Sequence, residues 1–229
     1  MTTSLAHLGP VAQVRAGRMT RRLTQLLVGL GLYGVSMALM IRSGLGQMPW
    51  DVLHYGLARH LSLTIGQVVV ATSFLVLLLW VPLRQLPGLG TVLNAVLVGL
   101  SADAALLLLA TPEDPVARAG FVVAGVLLNG LATAMYLGAQ LGPGPRDGLM
   151  TGWVRRTGLS VRLVRTTLEV AVVLAGWLLG GVVGVGTALY ALSIGPLTQL
   201  LLPRLTLRLG RVPVRPEACP EWVGQRPPG

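Results

Sequence analysis

The sequence predicts an all-α transmembrane protein: a six-helix bundle made of two inverted three-helix repeats, each with a short re-entrant or interfacial helix. Three observations predict it. Hydrophobic residues make up 53% of the 229 and charged residues 11%, with a mean hydropathy of +0.71. Mostly apolar runs of about 20 residues recur, each long enough to cross a hydrocarbon core of roughly 30 Å. The second half repeats the first at an offset of 96: residues 29–100 aligned on 125–196 without a gap share 22 identities in 72 positions. Aliphatic exchange inflates such a match, but the spaced identities are not explained by composition. Gly46, Pro49, Asp51, Gly56 and Arg59 recur as Gly142, Pro145, Asp147, Gly152 and Arg155, and Gly88, Gly90 and Thr91 as Gly184, Gly186 and Thr187.

Residues 1–22 read as a basic cytoplasmic tail, followed by a first membrane repeat over 23–110. Its apolar spans are 23–41, 65–83 and 89–107. Between the first two lies a polar stretch from Arg42, then a helix-spaced segment 50–60 that holds Asp51, His54, Arg59 and His60 and is too short and polar to cross alone. An extracytoplasmic loop at 111–118 separates the halves. The second repeat covers 119–203, with spans 121–137, 161–179 and 185–202, and an Arg/Pro-rich cytoplasmic tail follows at 204–229. No cleavable signal peptide is expected, because the first apolar run is full length with no small-residue cleavage site after it.

The net charge of +10 comes from eighteen arginines and no lysine. They fall between or beyond the apolar runs. With the amino terminus cytoplasmic, fifteen lie in inside segments and Arg42, Arg59 and Arg118 outside, which places both termini in the cytoplasm. This is a topology signal facing anionic lipid, not a nucleic-acid stripe. Three spans per repeat is an odd number, so the second repeat is inverted and the two polar interruptions enter from opposite faces. The competing topology makes 49–60 and 145–157 into true spans, with eight helices and parallel repeats; their ionisable residues argue against it.

The shared motif is Leu-Gly-x-x-Pro-x-Asp, at Leu45–Asp51 and Leu141–Asp147. Gly46 and Gly142 let the backbone leave helical geometry, and Pro49 and Pro145 set the first turn of the next helix. Asp51 and Asp147 then sit near a positive helix end, either as caps or as carboxylates meeting a solute or proton. Two further acidic groups, Asp103 and Glu169, lie in or against apolar spans and are candidates for a polar path; Glu169 can instead pair locally with Arg165. His54, three residues after Asp51, can titrate with it. Cys219 is a lone cysteine, and no His, Cys or carboxylate cluster has metal-ligand spacing, so no metal or cofactor is expected. No nucleophile elbow or Walker loop is present, and the chain does not read as an enzyme.

The run Leu45-Gly-Gln-Met-Pro-Trp-Asp51, the later Ser62-Leu-Thr-Ile-Gly66 and the echo Gly142-Pro-Gly-Pro-Arg-Asp147 resemble the YczE/YitT-type bacterial integral membrane proteins over residues 20–205. The resemblance implies a bacterial plasma-membrane protein. The second motif carries Arg146 where the first has Trp50, so the two sites are not equivalent.

Two functions are compatible with these features. One is a small-solute transporter or permease working by alternating access between the repeats. The other is a non-transporting accessory or scaffold protein supporting another membrane complex. The partners expected are the lipid bilayer and a small solute, with a homo-oligomer or a membrane partner protein also compatible with the sequence, and no nucleic acid. A water-accessible cavity between the repeats favours the first; a dry core packed on glycine favours the second.

Overall fold

The computed structural model describes residue 13, residues 16–207 and residue 209. Among the described residues the chain is helical, with no strand. Its helices are α1 (Met19–Ser43), α2 (Pro49–Leu61), α3 (Ile65–Trp80), α4 (Leu89–Leu108), α5 (Pro115–Gly138), α6 (Pro145–Thr157), α7 (Val161–Leu178) and α8 (Val185–Leu205). The offset of 96 carries the first four onto the last four. It maps α2 onto α6 with no change of bounds, because proline opens both helices where its missing N–H costs nothing.

Among the described residues four helices, α1, α4, α5 and α8, are long and apolar enough to cross a membrane. A fifth crossing follows if α2 and α3, bent by 112° at the break between them, are one broken span. α3 and α7, expected as full spans at 65–83 and 161–179, do not reach that standard alone. α3 stops at Trp80, where Pro82 supplies no N–H and the chain turns through a left-handed Arg84. α7 carries Arg162, Arg165 and Glu169.

Two expected boundaries also shift. The tail expected at 1–22 gives its last residues to α1, and Arg22 is fully buried. Its guanidinium donates to the carbonyls of Ala139 (2.9 Å) and Gln140 (2.6 Å), taking up groups left free where α5 ends. The loop expected at 111–118 gives Pro115–Arg118 to α5, because Asp114 caps that helix by accepting from the Ala117 N–H at 2.9 Å. The rest of the amino-terminal tail except residues 13 and 16–18, and the carboxyl-terminal tail beyond residue 209 with Cys219, lie outside the described residues.

The core forms around α1 and α5, which pack antiparallel. Arg22 reaches Ala139, Gly29 lies against Ala132 and Tyr136, Ser36 bonds Asn129, and Gly125 lies against Met40. α4 packs parallel to α1, with Gly34 against Ser101 and Ala102 and Arg42 donating to the Leu106 carbonyl. One polar chain crosses this apolar centre: Tyr190 donates to Asn129 Oδ1 (2.9 Å), and Asn129 Nδ2 donates to Ser36 (2.9 Å). Each buried amide and hydroxyl in it is thereby satisfied.

Candidate functional site

The site is built from the two glycine turns. Gly46 and Gly142 adopt φ of +127° and +118°, open to glycine and strained for other residues. Each turn docks on the other half. The Leu45 carbonyl accepts from the Gly186 N–H (2.9 Å), and the Leu141 carbonyl accepts from the Gly90 N–H (2.7 Å). Thr91 Oγ1 accepts from the Gly88 N–H (3.1 Å) and donates to the Pro143 carbonyl (2.7 Å), while Thr187 Oγ1 accepts from the Gly184 N–H (3.3 Å). The Gly-x-Gly-Thr runs, visible in the sequence only as spaced identities, are thus the seats on which the partner half's turn rests.

These docked turns start α2 and α6 beside each other, inside the bundle. Between the halves lies a cavity of about 710 Å³, lined by residues of both, within the usual range of ligand pockets. Arg146, in the first turn of α6, lines it. Its guanidinium lies 5.6 Å from the ring centres of both Tyr33 and Trp50 and donates to the Tyr33 hydroxyl at 2.6 Å. Trp80 closes the neighbouring wall: its indole N–H donates to the Pro145 carbonyl (3.0 Å), and its ring lies flush on Gly148.

The expected site residues divide into three groups. Asp147 and Glu169 line the cavity. Asp147 accepts a hydrogen bond from the Tyr136 hydroxyl, and Glu169 pairs with Arg165 at 2.9 Å, the local i,i+4 pair that the sequence also allows. Asp51 and His54 line a much smaller void behind Trp50 and Arg146, with Oδ1 of Asp51 3.2 Å from Nδ1 of His54. Asp51 is 1% exposed and its Oδ2 has no hydrogen-bond partner. Neither Asp51 nor Asp147 accepts a backbone N–H, so the carboxylates are not helix caps here. Asp103 stands apart from the cavity. Its Oδ1 accepts from the Gly66 N–H (2.8 Å) and its Oδ2 from the Thr64 hydroxyl (2.5 Å), tying α3 to α4.

Arg146, Trp50, Tyr33 and Tyr190 were not among the residues expected to form the site. The one signal available for Arg146 was its departure from Trp50 in the repeat. Among the described residues the ion pairs are His54–Asp51 and Arg165–Glu169, so Arg146 has no carboxylate within 4.0 Å. No group of His, Cys, Asp or Glu among the described residues could hold a metal ion.

The family model described as a family of unknown function (DUF6198) matches residues 20–203. An uncharacterized protein of Haemophilus influenzae is 44% identical over 188 residues, covering 82% of this chain and 86% of that protein. The uncharacterized membrane protein YczE of Bacillus subtilis is 34% identical over 173 residues, covering 75% and 80%. The uncharacterized protein YyaS of the same organism is 29% identical over 181 residues, covering 77% and 90%. No solved structure matches the chain. The chain belongs to the DUF6198 family of unknown function, among YczE-like proteins.

Proposed function

We propose that this is a polytopic protein of the bacterial plasma membrane, both termini cytoplasmic, that carries a small solute by alternating access between two inverted halves. The observation that carries the reading is that two halves of one sequence pattern are packed differently around one cavity. In the first half α3 is sealed on α4. A Cβ on Gly99 would lie 2.5 Å from the Gly66 carbonyl oxygen, and Asp103 bridges to Thr64 and Gly66. In the second half the counterparts of Gly66, Gly99 and Asp103 are Arg162, Gly195 and Gln199. There α7 and α8 share almost no contact, a Cβ on Gly195 would meet nothing within 4 Å, and the cavity runs between the two helices. One half shut and the other open is the arrangement that rocking exchanges.

Inversion is supported by α1 and α5, which correspond in the repeat yet pack antiparallel. Re-entrant α2 and α6 are supported by where each ends. Both begin at the cavity; α2 finishes against the end of α7, with Arg59 donating to the Gly180 carbonyl (3.3 Å). α6 finishes against the turn after α3, with Arg156 donating to the Pro82 carbonyl (2.7 Å). The cavity favours transport over the accessory reading, which expects a dry core. Thr133 of α5 lines the cavity, and a Thr133→Cys variant on a Cys219→Ser background tests the proposal with a membrane-impermeant maleimide applied from each side of sealed vesicles. Reaction from both sides is expected; reaction from one side alone contradicts alternating access.

A further inference from the structure

Arg146 says what class of solute the cavity takes. Resting on the cavity as a solute site, we infer that its ligand is an organic anion: a carboxylate-type group held by Arg146, with an apolar body against the surrounding aromatic rings. A guanidinium carries five N–H donors in a planar fork that matches two acceptor oxygens. Among the described residues Arg146 makes one protein hydrogen bond, to Tyr33, and no ion pair, so most of its donor capacity remains for whatever enters.

None of the neighbouring carboxylates pairs with Arg146, and the arginines lining the cavity, Arg84, Arg146, Arg155 and Arg165, outnumber its carboxylates, Asp147 and Glu169. Asp147 is held by the Tyr136 hydroxyl, and Glu169 is paired with Arg165. Asp51 lies behind Arg146 in the smaller void, beside His54. Asp51 and Asp147 also sit in the first turns of α2 and α6, where the helix ends themselves favour a carboxylate. Two more arginines, Arg84 and Arg155, line the cavity and are exposed to solvent, forming a positive approach to Arg146. Five aromatic side chains, Tyr33, Trp50, Trp80, Tyr136 and Tyr190, also line the cavity, among aliphatic and uncharged polar residues. A half-buried guanidinium with free donors, approached past two exposed arginines, makes a site for negative charge in an otherwise largely apolar bundle.

Three probes of matched shape test the assignment on the purified full-length protein: phenylacetate, 2-phenylacetamide and phenethylamine, read by the shift in thermal unfolding midpoint. Phenylacetate is expected to raise the midpoint saturably at concentrations up to ~10 mM, enough for a dissociation constant of ~1 mM. The amide and the amine are expected to do so at least about tenfold less effectively. Arg146→Gln is expected to abolish the preference and Arg146→Lys to retain part of it; should Arg146→Gln not fold, the Arg146→Lys variant and the wild-type comparison decide. No saturable shift with phenylacetate, an equal shift with the amide or amine, or an undiminished shift in the folded glutamine variant overturns the inference. Binding without flux in reconstituted vesicles supports the anion site and counts only against transport. Flux of phenethylamine in preference to phenylacetate overturns the anion assignment and leaves transport standing.

Discussion

A Cβ placed on Gly148 would lie 1.9 Å from Cζ2 of Trp80 and 2.3 Å from Cη2. The indole cannot swing aside, because its N–H is bound to the Pro145 carbonyl at the start of the same helix. Gly148→Ala is therefore expected to lower stability by about 1–3 kcal/mol through overpacking, measured as the change in unfolding midpoint; an unchanged midpoint would contradict this fit. The same scale shows what residue types can and cannot reveal. Glycine, proline and aspartate repeated at fixed spacing announce a turn, because few other residues serve there. Arg146 carries no such mark: it lies in the same stretch of chain as Arg155 and Arg156, which are exposed, and only the docking of α6 turns it inward. The aromatic groups around it come from α1, α2, α3, α5 and α8, so their convergence is a property of packing that no local pattern encodes.

At the scale of helices, the repeat made the second-half boundaries legible from the first, and α2 and α6 match to the residue. The misfits have local causes: Asp114 and Pro115 start α5 early, Arg22 draws the beginning of α1 against the end of α5, and Pro82 ends α3 short. What hydropathy could not distinguish is which apolar helices touch. α3 and α4 are tied by Asp103, whose counterpart is Gln199, and this polar clasp sits at a seam of Gly66 and Gly99, of which only Gly99 has a glycine counterpart, Gly195, in the looser seam between α7 and α8. Asp103→Ala leaves the Gly66 N–H and the Thr64 hydroxyl without their partner and is expected to cost about 1–3 kcal/mol, while Asp103→Asn, which keeps an acceptor, is expected to cost less. Unfolding in detergent measures both; equal stability of Asp103→Ala and the native protein would show that the clasp does not hold the seam.

For the whole molecule, the reciprocal seating of each glycine turn on the other half's Gly-x-Gly-Thr run joins the halves, and it is the frame about which the proposed exchange would turn. The sequence contained that frame as an offset of 96, and the structure adds the asymmetry: one seam shut, one open, and Arg146 in the cavity where the first half has Trp50. The exchange is read most directly by paired spin labels at corresponding sites on a Cys219→Ser background. One pair is Phe74→Cys with Val96→Cys on α3 and α4, the other Val170→Cys with Leu192→Cys on α7 and α8. In lipid bilayers each pair is expected to give two distance populations, the longer of the first pair growing under the conditions in which the longer of the second shrinks. A single short distance for the first pair and a single long distance for the second, unchanged under every condition, would contradict alternating access.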